Sequence, residues 1–412
     1  MIRSLTIGLP LVDESQSTIE RGVSEIISVA EKIFKERQIK PRTIRYSLPP
    51  IGSEGEKEGY LNSILNCVDS LSEKTGVRWF CLPLDLISES PRNERLGVSL
   101  DAIAKFPKMF LNLMVADQNR LSVGAINDSA HVISQISQRS NSGFDNFRVG
   151  ASCGCPPHSP FFPFSHHNGS GLAFSFALEL TDKALNVLDQ IGTNAKVDYF
   201  RELLVMEFTE ILLDINDLGN EIASKSNTKF NGVDASLAPF PNGKTSVAAI
   251  IEKLIGAPIG SQGSVFATGL LTDSIRSALM KSKVPSVGFN GVMFSLLEDN
   301  ALASANSRRH LALDSLISLS SMCGCGIDMV PVPGSSFPEE IAALTMDMAG
   351  MSLALKKPLG VRVLPIPGGL ANEHTKFNYD FLCDSRIVSL SSNERYMNFE
   401  SDSFSPLAPP RL

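Results

Sequence analysis

The sequence predicts one α/β domain closed as a barrel of about ten strands, and three observations predict it. Short apolar runs rich in β-branched residues alternate with amphipathic helical stretches as far as Ile366, the order that successive β-α units impose. No Ser/Gly/Pro linker or charge block divides the chain, so residues 1–393 read as the barrel domain, and 394–412, with Pro406, Pro409 and Pro410, as a peripheral tail. No strand is followed by the G-x-G-x-x-G fingerprint of an open dinucleotide-binding sheet, and the strand count suits a closed barrel better. A chain of 412 residues that is 43% hydrophobic and 20% charged can bury the single large core this requires.

The elements follow in order. Ile2–Leu9 is an apolar strand stopped by Gly8 and Pro10. Ser17-Thr18-Ile19-Glu20 is a capping-box pattern, and Ile19, Val23, Ile26, Ile27, Ala30, Ile33 and Phe34 then share one helical face. Arg42–Leu48 is a strand before Pro49-Pro50, Leu61–Leu71 a helix, and Val77–Leu82 a strand. Phe110–Val115, Phe147–Ser152 and Leu172–Leu178 are strands, with Ser122–Ser137 a helix among them. Val197–Ser224 is the longest helix; Val233–Ala238 and Pro285–Phe289 are short extended runs. Helices over Ser246–Leu254, Val265–Met280, Arg309–Ser321 and Glu339–Leu355, with strands at Ile327–Val332 and Val361–Ile366, complete the alternation. The pattern predicts parallel pairing throughout.

Composition excludes several classes of function. A net charge of −7 with scattered Lys and Arg gives no nucleic-acid footprint. No stretch approaches about 18 uninterrupted apolar residues, so no membrane span is expected. The first fifteen residues carry one Arg and a short apolar run, which reads as a first strand and not as a leader. Seven cysteines, an odd number, favour reduced thiols and a cytoplasmic location.

Chemistry is expected at strand C-termini, where parallel α/β folds build their ligand face. Two Cys-Gly-Cys motifs, Cys153/Cys155 and Cys323/Cys325, suggest two walls of one pocket. Together, or with His158, His166 or His167, they could hold a metal, although C-x-C is the less common spacing and free cysteine also packs as a small hydrophobe. A reactive thiol is the other reading, with Cys323 its first candidate because a helix delivers it to a Gly-rich loop. His166 and His167 follow Phe161, Phe162 and Phe164, an apolar wall, and precede Gly169 and Gly171; they suit acid-base work, or the loop simply docks on the barrel rim. Asp234 and Asp328 are lone acids in apolar runs, costly to bury unless bonded or functional. Gly260 and Gly263, before a helix, either present N–H groups to an anion or make tight turns.

The stretches IRSLTIGL (2–9), VDASLAP (233–239), GFNGVMF (288–294), MCGCGIDMVPV (322–332) and VRVLP (361–365), with the glycine loop and helix of Gly256–Gly269, resemble the domain of unknown function 711 family over nearly the whole chain. The resemblance implies a ten-stranded α/β barrel similar to pyruvate formate-lyase and anaerobic ribonucleotide reductases, with a loop inserted in its centre. In those enzymes that loop carries a catalytic cysteine and a C-terminal glycine carries a radical. No glycyl-radical motif is present: Gly360-Val361-Arg362 has the elements in the wrong order, and Gly368-Gly369 lacks the flanking Arg. The resemblance implies no reaction.

The resulting expectation is a cytoplasmic enzyme acting on a small polar, anionic metabolite in the barrel mouth by Cys/His acid-base or nucleophilic chemistry. Cys323, Cys325, His166, His167, Asp234 and Asp328 are the catalytic candidates. Cys153, Cys155, Gly169, Gly171, Gly260, Gly263, Asn290 and Gly291 are the substrate-binding candidates. No residue is assigned to a metal, and no cofactor is named. A metal-dependent lyase or hydrolase using Cys/His ligands and a non-catalytic metabolite sensor are the alternatives. Barrels of this kind often pair through outer helices, which leaves a homodimer open beside a single chain, with no patch assigned. The mechanism requires Cys323, His167 and Asp234 to share hydrogen-bond geometry.

Overall fold

Apolar β-branched runs become strands and 3.6-periodic runs become helices, in the order β1 (Ile2–Gly8), α1 (Gln16–Glu36), β2 (Thr43–Ser47), α2 (Tyr60–Thr75), β3 (Trp79–Asp85), α3 (Asn93–Lys105), β4 (Met109–Ala116), α4 (Val123–Ser137) and β5 (Val149–Cys153). After a long loop come β6 (Ala173–Leu178), α5 (Thr181–Ile191), α6 (Val197–Lys225), β7 (Lys229–Asp234), α7 (Val247–Ile255) and α8 (Ser264–Ser282). The chain continues with α9 (Asn300–Ser307), α10 (Leu313–Ser320), β8 (Gly326–Pro333), α11 (Pro338–Leu355) and β9 (Leu359–Ile366). The computed structural model describes residues 1–10, 16–88, 91–192 and 196–390, so the expected tail at 394–412 lies outside the described residues. No described helix is long and apolar enough to cross a membrane.

The strands form one nine-stranded sheet in the order β7-β6-β1-β2-β3-β4-β5-β9-β8. Pairing is not parallel throughout. β1 to β5 run parallel in chain order because a helix separates each strand from the next. No helix lies between β5 and β6, and that chain returns to pair antiparallel with β1. β9 likewise pairs antiparallel with β5. The sheet is therefore a central block of five parallel strands, β1 to β5, flanked by two parallel pairs, β6-β7 and β9-β8, that run the other way. Pro285–Phe289 is not a strand: around it only single parallel bridges form, Val233–Ser286 and Leu237–Val292 toward β7, and Ser295–Asp328 toward β8. The run expected at Val233–Ala238 begins earlier than its apolar pattern, because Lys229–Asp234 pairs with β6 and the chain leaves the sheet before Leu237. Helices α3, α5 and α9 are additional to the expected set; their short apolar stripes gave too little periodicity.

The sheet is strongly curled. Arg3 on β1 and Arg362 on β9 both reach the carboxylate of Glu298, at 3.0 and 3.6 Å. Their strands are five places apart in the sheet, a separation of about 24 Å if it were flat.

The 154–172 loop fills the concavity. The Pro160 carbonyl accepts from Ser4 and Thr6 of β1, and Ser165 bonds Ser47 of β2 at 2.8 Å. Cys81 of β3 donates to the Pro163 carbonyl, Asn112 of β4 to that of Ser165, and Ser175 of β6 to that of His158. Phe164 reaches β5 and β9. A Cβ on Gly150 or on Gly360 would sit 2.5 Å from its ring, so glycine at both positions makes the slot. These contacts explain why the loop is buried although it carries Ser, His and Pro.

Candidate active-site cavity

Backbone irregularities create the site. In β1 the register against β6 shifts between Ile2 and Ser4, leaving Arg3 as the extra residue of a bulge. Ser4 and Thr6 already face the inserted loop, and the bulge turns Arg3 inward beside them. In β8 a shift between Ile327 and Val330, with Met329 at φ 54°, sets Asp328 against Arg362.

The result is a cavity of about 570 Å³. Phe161, Phe162 and Phe164 line it, as does Phe110, whose ring lies 5.3 Å from those of Trp79 and Phe162. The polar wall holds three partnered arginines. Arg3 pairs with Glu179 at 3.1 Å and Glu298 at 3.0 Å; Arg42 pairs with Glu179 at 2.8 Å; Arg362 grips Asp328 with two bonds of 2.6 and 3.0 Å. Burial opposes the Arg3 and Arg362 charges, but the carboxylates outweigh it and raise both pKa values. The same two cations hold Glu298 below its usual value against the effect of burial.

Arg45 differs. It is 6% exposed, its Nε donates to Thr43 at 2.8 Å, and its guanidinium lies 5.3 Å from the Trp79 ring centre and 5.0 Å from that of Phe162. Among the described residues no carboxylate pairs with it. Burial, with the charges of Arg3 and Arg362, pushes its pKa down to about 9, so it remains a cation at neutral pH.

Two of the expected catalytic residues, Cys325 and Asp328, line this cavity. Cys325 Sγ accepts from Phe294 N at 3.3 Å, and Cys323 Sγ accepts from Gly326 N at 3.2 Å. Burial raises the Cys323 pKa by itself; the Cys325 thiol, the Lys357 ammonium and the N–H groups of Gly326 and Cys325 overcome this and bring it to about 6. Its proton-bearing partner Cys325 is raised, first because it bonds Cys323 and second by burial. Lys357 donates to the carbonyls of Ser320, Ser321 and Cys323, which ties it to the end of α10. The segment 288–294 crosses this cysteine loop at close range, the Gly324 N–H donating to the Val292 carbonyl, because neither stretch has a side chain there: a Cβ on Gly324 would lie 3.0 Å from the Gly291 Cα.

The other expected residues lie elsewhere. His166 and His167 border a separate small hollow with His158, Gly8, Ser47 and Ser175. His167 Nε2 donates to the Gly171 carbonyl at 2.9 Å, which leaves its Nδ1 to accept from His158 Nδ1 at 3.0 Å. Burial lowers all three histidines, His158 and His166 to about 4. Asp234 is engaged by the Ser236 hydroxyl and by the N–H groups of Phe289 and Asn290 at 2.7 and 3.1 Å, while Asn290 Oδ1 accepts from Ala235 at 2.9 Å. This mutual clasp fastens the end of β7 to the crossing segment. Burial raises Asp234 to about 6.

No hydrogen bond among the described residues joins Cys323, His167 and Asp234, so the shared geometry required of them is not met. Cys153 is sealed at the end of β5, and burial pushes its thiol to about 12. Cys155 lies beside the Leu359 carbonyl. Gly169 and Gly171, at φ 85° and 70°, shape the turn that receives His167. Gly260 and Gly263 turn the chain between α7 and α8, outside this cavity; a Cβ on Gly260 would lie 2.3 Å from the His310 carbonyl. Among the described residues no group of three or more His, Cys, Asp or Glu converges as a metal set would.

Sequence reasoning missed Arg3, Arg42, Arg45, Trp79, Glu298 and Arg362, and placed Glu179 only as one of the residues that follow a strand. The reversed flanking pairs are the reason: the mouth combines the N-terminal ends of β1, β2 and β3 with the C-terminal end of β6, so much of it is not where an all-parallel sheet places a ligand. The signal was present as arginines inside apolar strands, IRS, TIRYS and GVRV, which are as expensive to bury as the lone acids.

The fold and cavity define a mixed α/β protein whose curled sheet encloses an inserted loop and a charged, aromatic-lined chamber. The chain belongs to the family described as Uncharacterised ACR (DUF711), whose model matches residues 1–383. It is 25% identical to a UPF0210 protein of Pyrobaculum aerophilum, over 96% of this chain and 88% of that one. It is 26% identical to a UPF0210 protein of Methanopyrus kandleri over 89% and 86%, and 23% identical to one of Thermoanaerobacter sp. over 98% and 92%.

Proposed function

We propose that the protein is a cytoplasmic thiol enzyme that acts on a small anionic metabolite in this cavity. The observation that carries it is the shared wall: Cys325, backed by the acidified Cys323, opens on the same chamber as the unpaired Arg45. Cys325 attacks an electrophilic carbon such as a carbonyl. The C–S bond forms, the carbonyl π pair moves to oxygen, and the thiol proton passes to Cys323. Asp328 and Glu298 keep the arginine wall in place. The histidines take no part in this step, since they border another hollow. The seven described cysteines are free thiols, which supports a reducing compartment.

The sheet is proposed to close as a ten-stranded barrel, with residues 286–295 as the irregular tenth staff; the bridges to β7 and β8 and the shared Glu298 support this. Iodoacetamide labelling at pH 7 with peptide mapping tests the thiol assignment. Cys325 should be modified first, and its protection would sink the reading if the half-exposed Cys67 and Cys383 react instead.

A further inference from the structure

We infer that Arg45 is the anchor for a single carboxylate, and that the ligand of this cavity is a monocarboxylate with a flat apolar body. The inference rests on the cavity being the ligand site and not on the thiol chemistry.

Charge balance comes first. Arg3, Arg42 and Arg362 are matched by Glu179, Glu298 and Asp328, which leaves Arg45, among the described residues, as the buried cation of the wall with no carboxylate partner; Lys40 and Arg78 also line the cavity but are exposed to solvent. One negative charge completes the buried set, and solvent screens the exposed Lys40 and Arg78, so Arg45 is the cation that gains most from an anion. Geometry comes second. With Nε fixed to Thr43 and the guanidinium set between Trp79 and Phe162, the two terminal nitrogens are the only donors left, and they form an end-on fork. That fork suits the two oxygens of a carboxylate. The neighbouring walls come third: Phe110, Phe161, Phe162 and Phe289 present ring surface, which suits a flat apolar group next to the charge. A buried cation without an anion costs stability, and a bound carboxylate offsets that cost.

Benzoate, benzamide and inorganic phosphate are the probes, read by melting temperature and calorimetric titration of the full chain. Benzoate should bind at least tenfold more tightly than neutral benzamide and more tightly than phosphate. Arg45→Met should raise the melting temperature of the free protein by about 2–4 °C and weaken benzoate at least tenfold, with Arg45→Lys between the two. Equal binding of benzoate and benzamide overturns the anchor, as does Arg45→Met binding benzoate within twofold of wild type. Tighter binding of phosphate overturns the ligand class. The thiol chemistry is read separately, by whether Cys325 of the Arg45→Met protein is still alkylated by iodoacetamide, a readout on which the anchor does not depend.

Discussion

Arg3 and Arg362 are joined through one carboxylate, Glu298, although they stand 359 positions apart in the sequence and five strand places apart in the sheet. Each arginine keeps a second acid, Glu179 for Arg3 and Asp328 for Arg362. Removing one member of a buried pair costs more than the pair contributes, because the partner charge stays behind. Glu298→Gln should therefore destabilise the fold by about 3 kcal/mol in urea unfolding. The Glu298 pKa is lowered in the folded protein, so its contribution is complete above its ordinary value of 4.5 and is lost as pH falls through the folded value. The difference between wild type and Glu298→Gln should accordingly shrink in acid. An equal difference at pH 7 and at pH 3.5 would refute the ion-pair account.

Phe164 occupies a slot that only two glycines leave open. Gly360→Ala forces a methyl group against a ring wedged between β5 and β9, an overpacking that costs about 1–3 kcal/mol. Phe164→Leu alone should also destabilise, by creating a cavity. The double variant should recover part of both losses, since the shorter side chain makes room for the new methyl. Strict additivity in the four-variant cycle would mean that the two residues do not touch.

How much of this was readable beforehand depended on the kind of information each feature needs. Helices such as α1 and α6 and strands such as β1 and β9 were legible because each carries its own periodicity. The apolar wall of Phe161, Phe162 and Phe164 was legible from composition. Pairing direction was not, since nothing in Ala173–Leu178 states that it will lie antiparallel to β1. That one fact moved the cavity and brought the arginines to it. Asp234 was singled out correctly as a buried acid, but burial does not distinguish a clasp on Phe289 and Asn290 from a catalytic group.

The histidine cluster should report on acid stability. His158 and His166 are lowered to about 4 by burial, from an ordinary 6.5. For a base lowered in the fold, the unfolded chain takes up protons first, so stability is lost as pH falls from about 6.5 toward 4. Asp234, raised to about 6, acts in the opposite sense over part of that range. His166→Asn should flatten the decline of the urea midpoint between pH 6.5 and 4.5, and Asp234→Asn should steepen it. NMR titration should find the His166 ring neutral at pH 5.5; a protonated ring there would contradict the burial argument.

The last expectation concerns the two sulfurs. If they share one proton, the macroscopic ionisation near 6 belongs to the pair, and modification follows the sulfur that faces the cavity. The rate of Cys325 alkylation should therefore rise with pH through about 6 and level off before pH 8. Cys323→Ser removes the proton acceptor together with the first cause of the raised Cys325 pKa, but burial still holds the lone thiol above its ordinary value of 9.0. Its rate at pH 7 should therefore drop at least tenfold against the pair that ionises near 6, one pKa unit being a factor of about ten. Lys357→Met should move the wild-type inflection upward by removing the ammonium next to Cys323. Because Lys357 also caps the carbonyls at the end of α10, urea unfolding of that variant must be measured alongside. A Cys325 rate that is unchanged in Cys323→Ser would show that the thiols ionise independently, and the proton transfer assigned to them would have no basis.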